Sequence, residues 1–130
     1  FNRLRHLPYE DLGFARVDNH RAIRQGFPEV IFCEGKTVSQ AATIARRCLE
    51  RHGILLATRA SREIFNAIKT TAPRAKYHPL SRVIVVKPAR PAPPIGHVLV
   101  LSAGTSDIPV AEEAAVTADI LGSRVETLYD

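Results

Sequence analysis

The chain has 130 residues, of which 45% are hydrophobic, 24% charged and 6% aromatic. Those proportions exclude a disordered tail and leave a core built from Val, Ile, Leu and Ala. The net charge of +5 is unevenly divided: residues 1–93 carry 17 of the 18 Lys/Arg and 7 of the 13 acids, whereas residues 94–130 carry one base and six acids. A basic unit followed by an acidic one suggests two parts with different tasks, the first attracting a phosphorylated ligand, a nucleotide or RNA. No apolar run reaches the roughly 18 residues of a membrane span, and the first residues lack a signal-peptide core; the cytoplasm is the default location. The chain opens on Phe1 and has no Met, which points to a processed product or a part of a longer protein.

Residues 1–13 have no strong period and read as an extended lead-in. A short strand is expected over 14–17. The stretch 18–29 is dense in polar groups: Asp18, His20, Arg21, Arg24, Gln25 and Glu29. Arg21 and Arg24 can share one helical face and hold a carboxylate or phosphate; an ion-pair net with Asp18 and Glu29 is the competing reading. Val30–Phe32 reads as a strand. Thr37-Val-Ser-Gln40 has the form of a capping box, and Val38, Ala41, Ala42, Ala45, Cys48 and Leu49 follow at helical spacing. Gly53 ends that helix.

Ile54–Ala57 reads as a buried strand. A second helix follows Thr58-Arg-Ala-Ser61, with Ile64, Phe65 and Ile68 on its apolar face and Pro73 as its terminator. Ser61 reads as a helix cap rather than a nucleophile; Arg59 either reaches an anion at the sheet edge or faces solvent, and Lys36 has the same ambiguity. Arg82–Val86 is another strand. Four prolines within residues 87–94 then form a stiff connection.

His97–Leu101 has the pattern of a buried strand. Pro109 suits the first turn of a helix, whose face is expected to comprise Val110, Ala114, Ala118 and Leu121. Gly122 stops it, and Val125–Leu128 begins another strand. The fold class expected is α/β. A small basic N-terminal α/β domain (1–87) and a proline-rich linker (88–94) precede the first strand-helix-strand of a doubly wound, parallel-sheet domain (95–130). One such unit cannot bury both faces of its sheet.

The sharpest chemical signal is Ala103-Gly-Thr-Ser-Asp107, between the carboxyl end of a strand and a helix, where open α/β sheets bind ligands. Gly104 permits close backbone approach, Thr105, Ser106 and the helix amides suit a phosphate or ribose, and Asp107 suits a ribose hydroxyl or a metal-bound water. Capping by Ser106 and Asp107 is the plainer alternative. The loop is neither a Rossmann fingerprint nor a Walker A loop. Cys33 and Cys48 read as buried free thiols without disulfide or zinc spacing. RNA binding would need exposed aromatics beside the basic residues, and those available are scattered.

Five blocks stand in an order that resembles one family: Asp18-Asn-His-Arg21, Arg24-Gln-Gly-Phe-Pro-Glu-Val30, Glu34-Gly-Lys36, Thr58-Arg-Ala-Ser61 and Gly104-Thr-Ser-Asp-Ile-Pro-Val-Ala-Glu-Glu-Ala114. The family is pyridinium-3,5-biscarboxylic acid mononucleotide synthase, of nickel-pincer cofactor biosynthesis and lactate racemase maturation, with the circadian phase modifier relatives. Its second domain resembles phosphoribosylaminoimidazole carboxylase. The resemblance covers Phe14 to Asp130 and about the first half of a family member.

It implies carboxylation of the pyridinium ring of nicotinic acid adenine dinucleotide, using carbon dioxide or bicarbonate, with phosphoanhydride hydrolysis to AMP and Mg2+ as the assisting ion. A thiolate adding to the electron-poor ring would make it enamine-like, able to attack carbon dioxide; loss of a proton and the thiolate would restore aromaticity. By the same resemblance Asp107 is assigned to catalysis. Gly104, Thr105, Ser106, Asp18, Arg21, Arg24 and Arg59 are assigned to nucleotide binding, and Glu112 to supporting the loop. The family's nucleophilic cysteine matches neither Cys33 nor Cys48, so this chain alone is expected to bind without turnover. A homo-oligomer, tetramer or octamer, is expected, with no membrane and no nucleic acid. Another nucleotide carboxylase or mutase, or a regulatory or RNA-binding protein, are the alternatives.

Overall fold

The computed structural model describes residues 29–130, together with the backbone of 9–11 and 16–18. Two short strands, β1 (Tyr9–Asp11) and β2 (Arg16–Asp18), pair antiparallel. A four-stranded mixed sheet follows in the order β3-β4-β6-β5, from β3 (Ile31–Phe32), β4 (Leu55–Thr58), β5 (Lys76–His78) and β6 (Val83–Val86). β3 runs parallel to β4, and β6 runs antiparallel to both β4 and β5. The last two strands, β7 (His97–Ser102) and β8 (Arg124–Tyr129), form a parallel pair joined by a helix.

Helix α1 (Val38–His52) begins as its sequence dictates. Thr37 Oγ1 accepts the Gln40 amide at 3.1 Å, and the Gln40 side chain accepts the Thr37 amide at 3.0 Å. It ends at Gly53, whose φ of +70° is the left-handed conformation a helix terminator needs. Helix α2 (Arg62–Thr71) is capped by Ser61, whose hydroxyl accepts the Ile64 amide at 3.2 Å. The apolar stripes of both helices, with Ala41, Ile44, Ala45 and Cys48 on α1 and Ile64, Phe65 and Ile68 on α2, pack on one face of the sheet against Leu55, Ala57, Ile84 and Val86.

Strand β5 is invisible to hydropathy because only Tyr77 faces that core. Its ring stacks on Phe65 at 5.1 Å between centroids, and its hydroxyl donates to the Ala60 carbonyl at 2.8 Å. The expected strand at 82–86 begins one residue later, since Arg82 has a φ of +57°.

The opposite face of the sheet carries Leu56, Val83 and Val85, which pack with Ile120, Val116 and Ile54. Ile120 and Val116 belong to helix α3 (Ile108–Ile120), the connection between β7 and β8. α3 therefore lies between two sheets, touching β7 and β8 on one side and β4 and β6 on the other. This corrects the expected helix face: Ala111, Ala115 and Ile120 are the buried positions, whereas Val110, Ala114 and Leu121 are exposed. A helix apolar on nearly every side has no single stripe for a period to reveal. The far face of β7–β8 leaves Leu99, Leu101 and Leu128 59–65% exposed. Residues 88–94 contain neither helix nor strand. No helix among the described residues is long and apolar enough to cross a membrane.

Candidate functional site

β7 delivers the chain to its carboxyl edge at Ser102, and α3 leaves from the same edge. Between them Gly104 takes a φ of +99° with open space where a side chain would stand, so backbone conformation rather than crowding calls for glycine here. Thr105–Asp107 form a single 3-10 turn feeding directly into α3. Neither the turn nor the helix receives a side-chain cap: Asp107 holds the capping position with helical dihedrals and makes no capping hydrogen bond. Thr105, Ser106 and Asp107 are all exposed. The capping alternative fails on this geometry, and two hydroxyls and a carboxylate stand uncommitted at a helix N-terminus.

Ser102 adds a group that sequence reasoning did not single out. It is 9% exposed, and its hydroxyl is buried without a hydrogen-bond partner among the described residues. With Leu101, Ala103, Leu128, Tyr129 and Asp130 it lines a cavity of about 520 Å³ at the strand ends. Its strand pattern reads as an apolar run ending in a loop, so only the register that pairs Ser102 with Tyr129 exposes its place in the ladder.

Five and six residues beyond Asp107, α3 turns two acids toward the N-terminal sheet. Glu112 Oε1 accepts the Ser81 hydroxyl at 2.7 Å and lies 3.9 Å from His78 Nδ1. Glu113 lies 3.8 Å from Arg59 Nε, with 44% of the Arg59 side chain exposed. Glu113 is six residues beyond Asp107, about 9 Å along a helix. Arg59 follows β4 and Arg82 precedes β6; continuing the register Ala57 to Ile84 sets them opposite one another. They are the two non-glycine residues with positive φ among those described, at +55° and +57°. The Ala60 amide donates to the Arg82 carbonyl at 2.8 Å, fixing this corner. Left-handed backbone costs an ordinary residue about 1–2 kcal/mol and recurs at ligand-holding sites.

Other residues singled out by sequence lie elsewhere. The Lys36 ammonium donates to the Phe32 carbonyl at 2.6 Å and closes the turn after β3, so it is neither aimed at an anion nor free in solvent. Asp18 is on β2, opposite Tyr9. Arg21 and Arg24 lie outside the described residues. Cys33 and Cys48 are buried and outside any disulfide, and burial pushes the Cys33 thiol above its ordinary value, against a smaller opposing pull from Lys36. A buried thiol so raised is not a ready nucleophile at Cys33. Among the described residues no three His, Cys, Asp or Glu side chains gather as a metal cage.

The candidate site of this α/β protein is thus a strand-end loop with two exposed hydroxyls and a carboxylate, and the helix that follows the loop meets Arg59 through Glu113. The chain belongs to the LarB/PurE-like N-terminal domain family, whose model matches residues 9–89. A similar protein, the uncharacterized protein MJ0165 of Methanocaldococcus jannaschii, is 33% identical over 121 residues, covering 88% of this chain. The chain spans 47% of that relative's length.

Proposed function

We propose that this chain is the nucleotide-holding part of an enzyme that carboxylates the pyridinium ring of nicotinic acid adenine dinucleotide and splits its phosphoanhydride. The products would be pyridinium-3,5-biscarboxylic acid mononucleotide, a precursor of the nickel-pincer cofactor, and AMP. The observation that carries the reading is the loop at the end of β7, whose hydroxyls and carboxylate are spent on no cap. Gly104 lets the ligand approach the backbone. Thr105, Ser106 and the first amides of α3 hold a phosphate or ribose oxygen. Asp107 orients the nucleotide, and Arg59, with Asp18, Arg21 and Arg24, completes the binding of the phosphates or the ring carboxylate.

Asp107 also suits Mg2+, which favours one or two carboxylates together with substrate phosphates over an all-protein cage. The ion would neutralise the phosphoanhydride oxygens during hydrolysis. Carboxylation needs a thiolate to add to the ring, and buried Cys33 and Cys48 cannot supply it. That nucleophile would come from the half of a family member that this chain does not span, and the chain alone would bind without turnover. A homo-oligomer, tetramer or octamer, is the assembly we expect.

The test is a calorimetric titration of nicotinic acid adenine dinucleotide with Mg2+ into the chain and its Asp107→Asn variant. In parallel, labelled bicarbonate would be offered to a family member of full length carrying this sequence. Because Asp107 caps nothing, the variant should keep its stability within about 0.5 kcal/mol while binding at least about tenfold more weakly. Label should enter a mononucleotide with release of AMP only in the longer protein. Unchanged binding in the variant, or no label in the longer protein, refutes the reading.

A further inference from the structure

The four-stranded sheet is wider than the helix behind it. α3 covers β4 and β6, while β5 is the outer strand. Beside α3 the sheet therefore opens into a cleft of about 620 Å³, bounded by β5, β6, the start of the proline-rich segment and the C-terminal half of α3. This size lies within the usual range of about 300–1,000 Å³ for small-molecule sites.

The walls differ in chemistry. Val85, Val116 and Val125 give an apolar floor, and Arg74, Lys76 and Lys87 stand on the lining with a single acid, Asp119. Lys76 and His78 share this face because Tyr77 between them turns to the opposite core. The Lys87 ammonium is already paired with Asp119 at 3.0 Å. The Arg74 guanidinium donates to the Lys87 carbonyl at 3.1 Å, a neutral partner, and meets no acid among the described residues. Lys76 is exposed and has no acidic partner among the described residues. Two cations thus face an apolar slot whose one acid, Asp119, is taken by Lys87, a combination that attracts an anion carrying an apolar part.

We propose that this cleft binds a nucleoside monophosphate, its base on the Val85–Val116–Val125 floor and its phosphate between Arg74 and Lys76. The site is separate from the loop after β7: Asp119 is twelve residues beyond Asp107, about 18 Å along α3. It does not rest on the carboxylase reading, and either can fail without the other.

The test uses the 130-residue chain, isotopically labelled, with AMP, adenosine and inorganic phosphate as probes followed by amide chemical shifts. AMP should move the amides of Lys76, Val85, Val116 and Asp119, and adenosine and phosphate should each bind at least about tenfold more weakly. Lys76→Glu, at an exposed position whose unchanged spectrum elsewhere reports an intact fold, should weaken AMP about tenfold. Asp119→Asn frees Lys87 and should tighten AMP binding severalfold, an effect that general damage does not produce. Shifts confined to Gly104–Asp107, adenosine binding as tightly as AMP, no binding at all, or indifference to both substitutions would each overturn the proposal.

Discussion

Replacing Ser102 by Ala separates stability from binding at the strand-end site. The Ser102 hydroxyl is buried with no partner among the described residues, and such a group costs about 1–3 kcal/mol in lost solvation. Ala removes it and leaves a void on the order of one oxygen atom, about 10–15 Å³. At about 24 cal/mol per Å³ the void costs only about 0.3 kcal/mol. The variant should therefore be more stable than the parent by about 1 kcal/mol. With a urea dependence of about 2 kcal/mol/M for a small protein, the unfolding midpoint should rise by about 0.5 M. If the hydroxyl is held in reserve for a ligand, the same variant should bind nicotinic acid adenine dinucleotide about tenfold more weakly, the worth of one good hydrogen bond in a dry site. Equilibrium urea unfolding and calorimetry measure the two quantities on one sample. A lowered midpoint would show that Ser102 has a structural partner, and raised stability with unchanged affinity would remove it from the site.

Two further substitutions test the packing behind the loop. Glu112→Ala strands the Ser81 hydroxyl, which is 6% exposed and, among the described residues, otherwise meets the His78 carbonyl at 3.5 Å; a loss of about 1–3 kcal/mol is expected in urea unfolding. Glu112→Gln retains an acceptor and should cost less than about 1 kcal/mol; equal losses would refute the hydrogen bond as the cause. For Cys33, burial raises the thiol above its ordinary value of 9.0, so ionisation is easier in the unfolded chain. Its contribution to stability is complete below pH 9.0 and is lost as pH rises through the raised value. Urea midpoints measured from pH 8 to 10.5 should fall less steeply for Cys33→Ala than for the parent, and parallel slopes would refute this.

What could be read from the sequence depended on whether one residue or several carried the signal. The capping box at Thr37–Gln40, the cap at Ser61 and the stripes of α1 and α2 were legible because each obeys a local rule. β5 was not: two of its three residues are Lys76 and His78, and its place is set by Tyr77 reaching Phe65 and Ala60 across the core. The burial of α3 was misread because both sides of that helix are covered, so Ala111, Ala115 and Ile120 win over the equally apolar Val110 and Leu121 through tertiary contacts alone. At the site, the Gly104–Asp107 loop and Arg59 were legible as chemistry-bearing blocks. Ser81, Arg82, Ser102 and Glu113 were not, since each matters only through a neighbour distant in the chain.

The misread face of α3 follows from its place between two sheets. A helix that merely covered β7–β8 would have no reason to place Glu112 and Glu113 where Ser81, His78 and Arg59 meet them. Nor would it need Val116 and Ile120 against Leu56, Val83 and Val85. Because it serves both sheets, the position of the loop at its N-terminus is coupled to the N-terminal sheet through two acids, one of them facing Arg59 directly. A ligand drawing Arg59 toward its phosphates would compete with Glu113, a contact of 3.8 Å between part-exposed groups that contributes at most about 1 kcal/mol and is easily exchanged. Glu112, held at 2.7 Å by a buried hydroxyl, is not. On the proposed function, one acid would keep the helix docked while its neighbour released the arginine to the anion, without loosening the interface between the sheets.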